Sequence, residues 1–176
     1  MAPLDPAAPG GPFARLAQAL GMTDPAADVN DEHWRWHVYQ AAIASPTHWD
    51  LLLEATGAEP EIPLPVVLEM LERVTDADAS RWVAALGDRD RDRAFAQARA
   101  TDVATSQRFA STDATTSDAV VQGWSDWLQR RVAHRTESPE VLRVLEEHGR
   151  TRRVRGAARE GLIALRGGTG TGRQGR

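Results

Sequence analysis

Residues 138–165 read SPEVLRVLEEHGRTRRVRGAAREGLIAL, and this stretch decides the fold class. Ser138-Pro139 supplies a hydroxyl that can take up a free amide at a helix start, followed by proline at the first helical position, where a missing N–H costs nothing. Val141, Leu142, Leu145 and His148 follow at helical spacing, and Gly149 stops the segment. Thr151 caps a second helix in which Val154, Ala157, Ala158, Leu162 and Leu165 point one way. Two amphipathic helices joined by so tight a turn must lie against each other to hide their apolar stripes, and the alanines allow a close approach.

The same signals recur toward the N-terminus, and strand signals are nearly absent. Ser117 or Asp118, at the end of the polar break STDATTSD at 111–118, can cap a helix with Val121, Trp124, Leu128 and Val132 on one stripe and Trp127 beside it. From Arg91 to about Ala110 the chain is Ala-rich and helix-compatible, with only a ragged period in Phe95, Ala98, Val103 and Phe109. Asp78 or Ser80 opens a helix carrying Trp82, Val83 and Leu86 and closed by Gly87, and Pro65 opens one with Val67, Leu68, Leu71 and Val74 inward. Ser45-Pro46 repeats the Ser-Pro start for a helix over 47–56, with Trp49, Leu52, Leu53 and Thr56 inward and Gly57 at its end. Asn30 or Asp31 caps a helix over 32–44 that carries Trp34, Val38 and Ala41 on one side and Trp36, Tyr39 and Ile43 on another, so it should be largely buried. Phe13, Leu16, Ala17 and Leu20 mark a first short helix, ended by Gly21. These patterns place Trp34, Trp49, Trp82 and Trp124 in the core.

Pro3, Pro6, Pro9 and Pro12 match the three-residue turn of polyproline II and make residues 1–12 a disordered tail, with a PxxP ligand as the functional alternative. Residues 167–176 form a Gly-rich tail, and at 176 residues the rest, 13–166, is expected to be one all-α domain. No cysteine is present, which removes disulfides, thiol nucleophiles and cysteine-based metal sites. No basic start with an apolar run of roughly 7–15 residues marks a signal peptide. Nor does any stretch reach the roughly 20 apolar residues of a membrane span, so the expectation is a cytoplasmic protein with no membrane contact.

The pattern quoted first resembles a single HEAT-repeat unit, in which a proline-started helix with spaced leucines is followed by a tight turn and a helix reading Val-Arg-x-Ala-Ala. Here those positions are Pro139, Leu142 and Leu145, then Val154-Arg155, Ala157-Ala158, Leu162 and Leu165. A fainter copy runs from Leu64 to Leu86, with Pro65, Leu68 and Leu71 before the turn TDAD and Arg81, Ala84, Ala85 and Leu86 after it. The resemblance implies a short stack of helical hairpins, HEAT-like or an irregular α-solenoid, and a scaffolding role for Arg155. Residues 88–118 depart from it.

Charge is unevenly placed. Residues 1–88 hold 4 Arg and 14 acids, net −10, whereas residues 89–176 hold 17 Arg and 11 acids, net +6, and every cation is Arg. The two ends thus present different fields to partners, or to each other in a head-to-tail assembly. Arg150, Arg152, Arg153, Arg155 and Arg159 surround one turn and helix start, and such a cluster can hold phosphate or an acidic protein surface. Glu146, Glu147 and Glu160 neutralise part of it, few aromatics interleave, and a pI near 5.7 is far from that of a typical nucleic-acid binder.

Other chemistry is thinner. His33 and His37 stand four apart on one helix face, a metal-compatible spacing that would need Glu32, His48 or Asp50 as a third ligand, and boundary histidines beside Trp34 and Trp36 are the plainer reading. Asp50 follows Trp49, but a carboxylate in a first helical turn already serves the helix dipole. GGTGTGR at 167–173 lacks the strand, helix and lysine of a phosphate loop, and the alternating RDRDR at 89–93 reads as a solvated face. No catalytic, cofactor or metal constellation is legible, and no small-molecule substrate is evident. The expectation is a non-enzymatic module that binds a protein partner, an acidic surface or another copy of itself, through Arg150, Arg152, Arg153 and Arg159. A nucleic-acid binder using the same arginines is the second reading, and a HEAT-like base-excising enzyme with a cleft at Trp49 and Asp50 is the third.

Overall fold

A computed structural model describes residues 10–23, 31–59 and 62–168, and every regular element among them is helical. In chain order these are α1 (Pro12–Ala19), α2 (Glu32–Ile43), α3 (Trp49–Ala58), α4 (Pro63–Leu71), α5 (Asp76–Ala84), α6 (Asp90–Arg108), α7 (Asp118–Gln122), α8 (Asp126–Arg135), α9 (Pro139–His148) and α10 (Arg152–Gly168), with a 3-10 turn at Pro46–His48. The chain is an all-α assembly of packed helices, as its periodicity requires. Where one core was expected over 13–166, two form: the chain divides into compact units, Met1–Ala100 and Thr101–Arg176, and the division falls inside α6. Most of the proline-rich and glycine-rich tail segments lie outside the described residues, although Pro12 begins α1 and α10 continues to Gly168.

In the first unit α1 packs on α3 and α2, α2 lies against α3 and α4, and α5 pairs with α4. Phe13, Leu16, Val38, Leu52, Met70 and Trp82 fill its interior. That interior also encloses an ion pair between Arg35 and Glu59, whose side chains are 9% and 2% exposed. Tyr39 donates its hydroxyl to Glu59 Oε2 at 2.6 Å, and the Arg35 guanidinium stands 4.7 Å from the Phe13 ring centroid. Arg89 Nη2 donates to the Glu59 carbonyl at 2.5 Å, so side chain and backbone of one residue are both tied. A charge taken this far from water needs such complete partnering.

Helix starts differ in detail from the reading of the sequence. Asp31 does cap α2, accepting from the His33 amide at 2.9 Å, while the other candidate, Asn30, lies outside the described residues. Ser45 caps nothing: its hydroxyl meets His48 Nδ1 at 2.8 Å, a 3-10 turn follows, and α3 runs past Gly57 to Ala58. α4 begins at Pro63 rather than Pro65. α5 is capped by Thr75, not Asp78 or Ser80, because Thr75 Oγ1 both accepts from the Asp78 amide and donates to the Asp78 carboxylate at 2.9 Å, a reciprocal arrangement that fixes the first turn. Trp82 and Trp124 are buried, at 4% and 7% exposure, but Trp34 and Trp49 are only half-buried.

The second unit is built on α10, which packs along α9 and against α8, while α7 touches α9. The single helix expected from 118 to beyond 132 is two, because Gly123 ends α7 and Ser125 caps α8 by accepting from the Leu128 amide at 3.0 Å. Short polar residues favour caps over helix interiors, and here that preference overrides the continuous apolar stripe. Gln129, fully buried, bolts the break: its side-chain NH2 donates to the Val121 carbonyl and its oxygen accepts from the Arg150 amide, both at 2.9 Å. Ser138 and Thr151 cap α9 and α10 as read, each accepting at 3.2 Å. On α10, Ala158 is fully buried, and a Cβ on Gly161 would lie 3.1 Å from a methyl of Leu142 on α9.

Candidate functional site

Val154, Ala158 and Leu162 turn one side of α10 into the core, and the opposite side faces water. At 3.6 residues per turn, Arg152, Arg159, Ile163 and Arg166 fall within an arc of about 60° on that open side. Ile163 is 60% exposed in the middle of them, one of few large apolar side chains so open to solvent among the described residues. Arg159 Nε donates to Glu146 Oε1 at 2.8 Å with its side chain 65% exposed, so this flank already seats one carboxylate. Arg153 is exposed on the other edge of the same helix.

Arg150 is also exposed, with its side chain 46% open to solvent, but its guanidinium has several partners within the unit. Its guanidinium donates to Asp126 Oδ1 at 3.0 Å and to the carbonyls of Gln122 and Trp124, both at 2.9 Å, and its amide is held by Gln129. It ties the α9–α10 turn to the break between α7 and α8, and carbonyls at a helix end are a natural place for an arginine's fork. Arg155 Nη1 donates to the Gly149 carbonyl at 2.6 Å and holds the turn from the other side. All four residues expected to meet a partner, Arg150, Arg152, Arg153 and Arg159, are exposed, and Arg150 differs in that its guanidinium also ties two carbonyls and a carboxylate of its own unit. Ile163 was not singled out, although its place outside the apolar set of α10 was a usable signal.

Each unit also carries a cleft. In the first unit a cleft of about 220 Å³ is lined by Pro46, Trp49, Leu53, Val74 and Trp82, with Asp50, Asp78 and Arg81. It contains the Trp49–Asp50 pair noted in the sequence, but the Asp50 carboxylate is 94% exposed, not enclosed in an apolar pocket. In the second unit a wider cleft of about 470 Å³ includes Phe109, Val120, Trp124 and Leu128, with Asp102 and Arg108 among its polar residues. The Phe109 and Trp124 rings there lie 4.8 Å apart, and Asp102 accepts from the Ser125 hydroxyl at 2.5 Å. His33, 94% exposed, and His37, also exposed, are not joined by a third ligand: among the described residues no three His, Asp or Glu stand close enough to hold a metal ion.

Fold and surface together define an all-α protein of packed helices with a basic flank interrupted by one open isoleucine, and among the described residues no helix is long and apolar enough to cross a membrane. Comparison with protein-family models, with curated proteins and with solved structures finds no match.

Proposed function

We propose that this protein is a non-enzymatic interaction module of the cytoplasm, a HEAT-like scaffold of helical hairpins that holds an acidic protein surface against the outer flank of α10. The observation that carries this reading is Ile163, 60% exposed between arginines on one helix flank. An apolar anchor within a charged rim is the arrangement of a protein contact: the anchor contributes by leaving water, and the rim sets orientation and association rate. Arginine suits that rim because its fork meets a carboxylate in two parallel bonds. A partner carboxylate need only take the place of Glu146 at Arg159. A phosphate backbone offers nothing for an isoleucine to bury against.

The second reading, nucleic acid, rests on the exposed Arg152 and Arg153 and on the charge of residues 101–176, which hold 13 Arg against 9 acids. Titrating the protein with a labelled acidic amphipathic helical peptide and with duplex DNA and single-stranded RNA of about 20 units, at two salt concentrations, separates the two. The proposal expects peptide binding weakened in the combined variant R152Q/R153Q/R159Q, and feeble oligonucleotide binding. Tight oligonucleotide binding that falls steeply with salt, with the slope reduced by about three contacts in that variant, overturns it in favour of nucleic acid.

A further inference from the structure

Given that the outer flank of α10 is a protein contact, as proposed above, we infer that the partner there is itself an α-helix, lying along α10 at a shallow angle and meeting its backbone at Gly156. Arg152, Arg159 and Arg166 stand seven residues apart, and Gly156 and Ile163 fall between them, so the five positions advance by four, three, four and three. Alternating steps of three and four make the seam of two helices packed nearly parallel, because a straight α-helix drifts only about 20° per seven residues from such a row. The row covers an arc of about 80° and roughly 21 Å of helix axis. Val154 and Ala158 lie on the opposite side, in the core. An extended strand, whose side chains return to one face about every 6.7 Å, does not keep step with the roughly 10.5 Å between successive arginines of the row.

Gly156 is an independent sign of the same contact. It sits inside α10, where glycine is the least favourable residue after proline. Its φ is not positive, so the backbone there does not call for glycine, and a Cβ added to it would meet nothing within 4 Å. Gly161 differs, because a Cβ there would crowd Leu142 and its bare backbone is used inside the unit. Among the described residues no packing makes use of the bare backbone at 156. On the open side of a helix a missing side chain lets a second backbone come close, near the short end of the roughly 8–10 Å between packed helix axes. Ile163, two turns further on, then packs beside apolar residues of the partner, and the arginines of the row take its carboxylates. Arg159 holds Glu146 with its own side chain 65% exposed, so it is open to a second carboxylate. Glu160, exposed beside the row, offers a place for one cation on the partner, and flanking charges of this kind set the direction in which paired helices run. The partner is thus an acidic amphipathic helix with carboxylates seven residues apart and small or apolar residues between them.

Two labelled peptides of about 20 residues and identical composition, both helical by circular dichroism, test this by fluorescence anisotropy with the intact protein. The first carries three Glu spaced seven residues apart with Leu at the seam positions between them; the second has the same residues permuted so that its Glu spread around the helix. The first should bind the wild type at least about tenfold more tightly. Gly156→Gln should weaken the first peptide by about tenfold while raising the protein's melting temperature by about 4 °C, since a helix interior is relieved of glycine. Gly156→Ala should fall between wild type and Gly156→Gln in affinity. Lower affinity in a more stable protein is the signature of a contact at Gly156, which a purely structural role for that glycine does not produce. Equal binding of the two peptides, both lost in Ile163→Asp, overturns the aligned helix and leaves the flank standing as a contact surface, and unchanged affinity in Gly156→Gln overturns the approach at Gly156 in the same way. Absence of binding of either peptide to the wild type up to about 1 mM overturns both the helical partner and the proposed contact.

Discussion

Glu59 gathers Arg35 and Tyr39 on its carboxylate and Arg89 on its carbonyl, nearly out of reach of water. Removing one charge from such a pair leaves the other buried and unmatched, so Glu59→Gln should cost about 3–5 kcal/mol in chemical denaturation. The double replacement Arg35→Met with Glu59→Leu should recover most of that, and a single-variant loss below about 1 kcal/mol would contradict the account. Tyr39 adds a pH signature. Burial first, and then its hydrogen bond to Glu59, raise the phenol well above its ordinary value near 10. The folded phenol therefore keeps its proton where the unfolded one gives it up, and its contribution to stability is intact below about pH 10 and lost as pH rises beyond it. Between pH 9 and pH 11 the wild type should lose more stability than Tyr39→Phe; equal losses would remove Tyr39 from the explanation. This network was not legible in the sequence, because an arginine between Trp34 and Trp36 carries no local mark of its partner. The acid it meets lies 24 residues away, beyond α3.

Caps separate what local pattern shows from what it hides. Ser138 was readable from Ser-Pro alone, yet its hydroxyl does more than cap: it accepts from the Val141 amide and donates to the Ala114 carbonyl at 2.6 Å while fully buried. Thr75 caps α5 at the exposed surface. Ser138→Ala should accordingly cost about 2 kcal/mol and Thr75→Ala about 1 kcal/mol or less, compared by thermal melting. Equal costs would show that the Ala114 bond contributes nothing. The cap at Thr75 was in the sequence as Thr75-x-x-Asp78, but a lone carboxylate at 78 reads equally well as a helix start. The break between α7 and α8 was masked by Val121, Trp124, Leu128 and Val132, which keep a helical stripe through it. Periodicity reports which side is buried and not whether the backbone between stays helical.

At the scale of the molecule, the same limit explains the two cores. Amphipathic helices announce that each has a face to hide, and the sequence does not say against which neighbour, so one stack and two units look alike until packed. The charge division was legible and the cut falls nearby: residues 1–100 carry net −8 and residues 101–176 net +4. Arg152, Arg153 and Arg159 could be found because an arginine cluster is visible as composition. Arg150 was grouped with them because its internal acceptors are mostly backbone carbonyls, which no sequence pattern displays. The claim that the flank of α10 is a partner surface rests on Ile163, whose removal from solvent is the expected gain on binding. The direct measurement is the affinity of wild type and Ile163→Asp for the acidic amphipathic peptide, with thermal melting of both proteins alongside. An exposed position tolerates the change, so melting should agree within about 0.5 kcal/mol, and the peptide's Kd should rise at least about tenfold. Unchanged affinity in a folded Ile163→Asp protein would contradict the account.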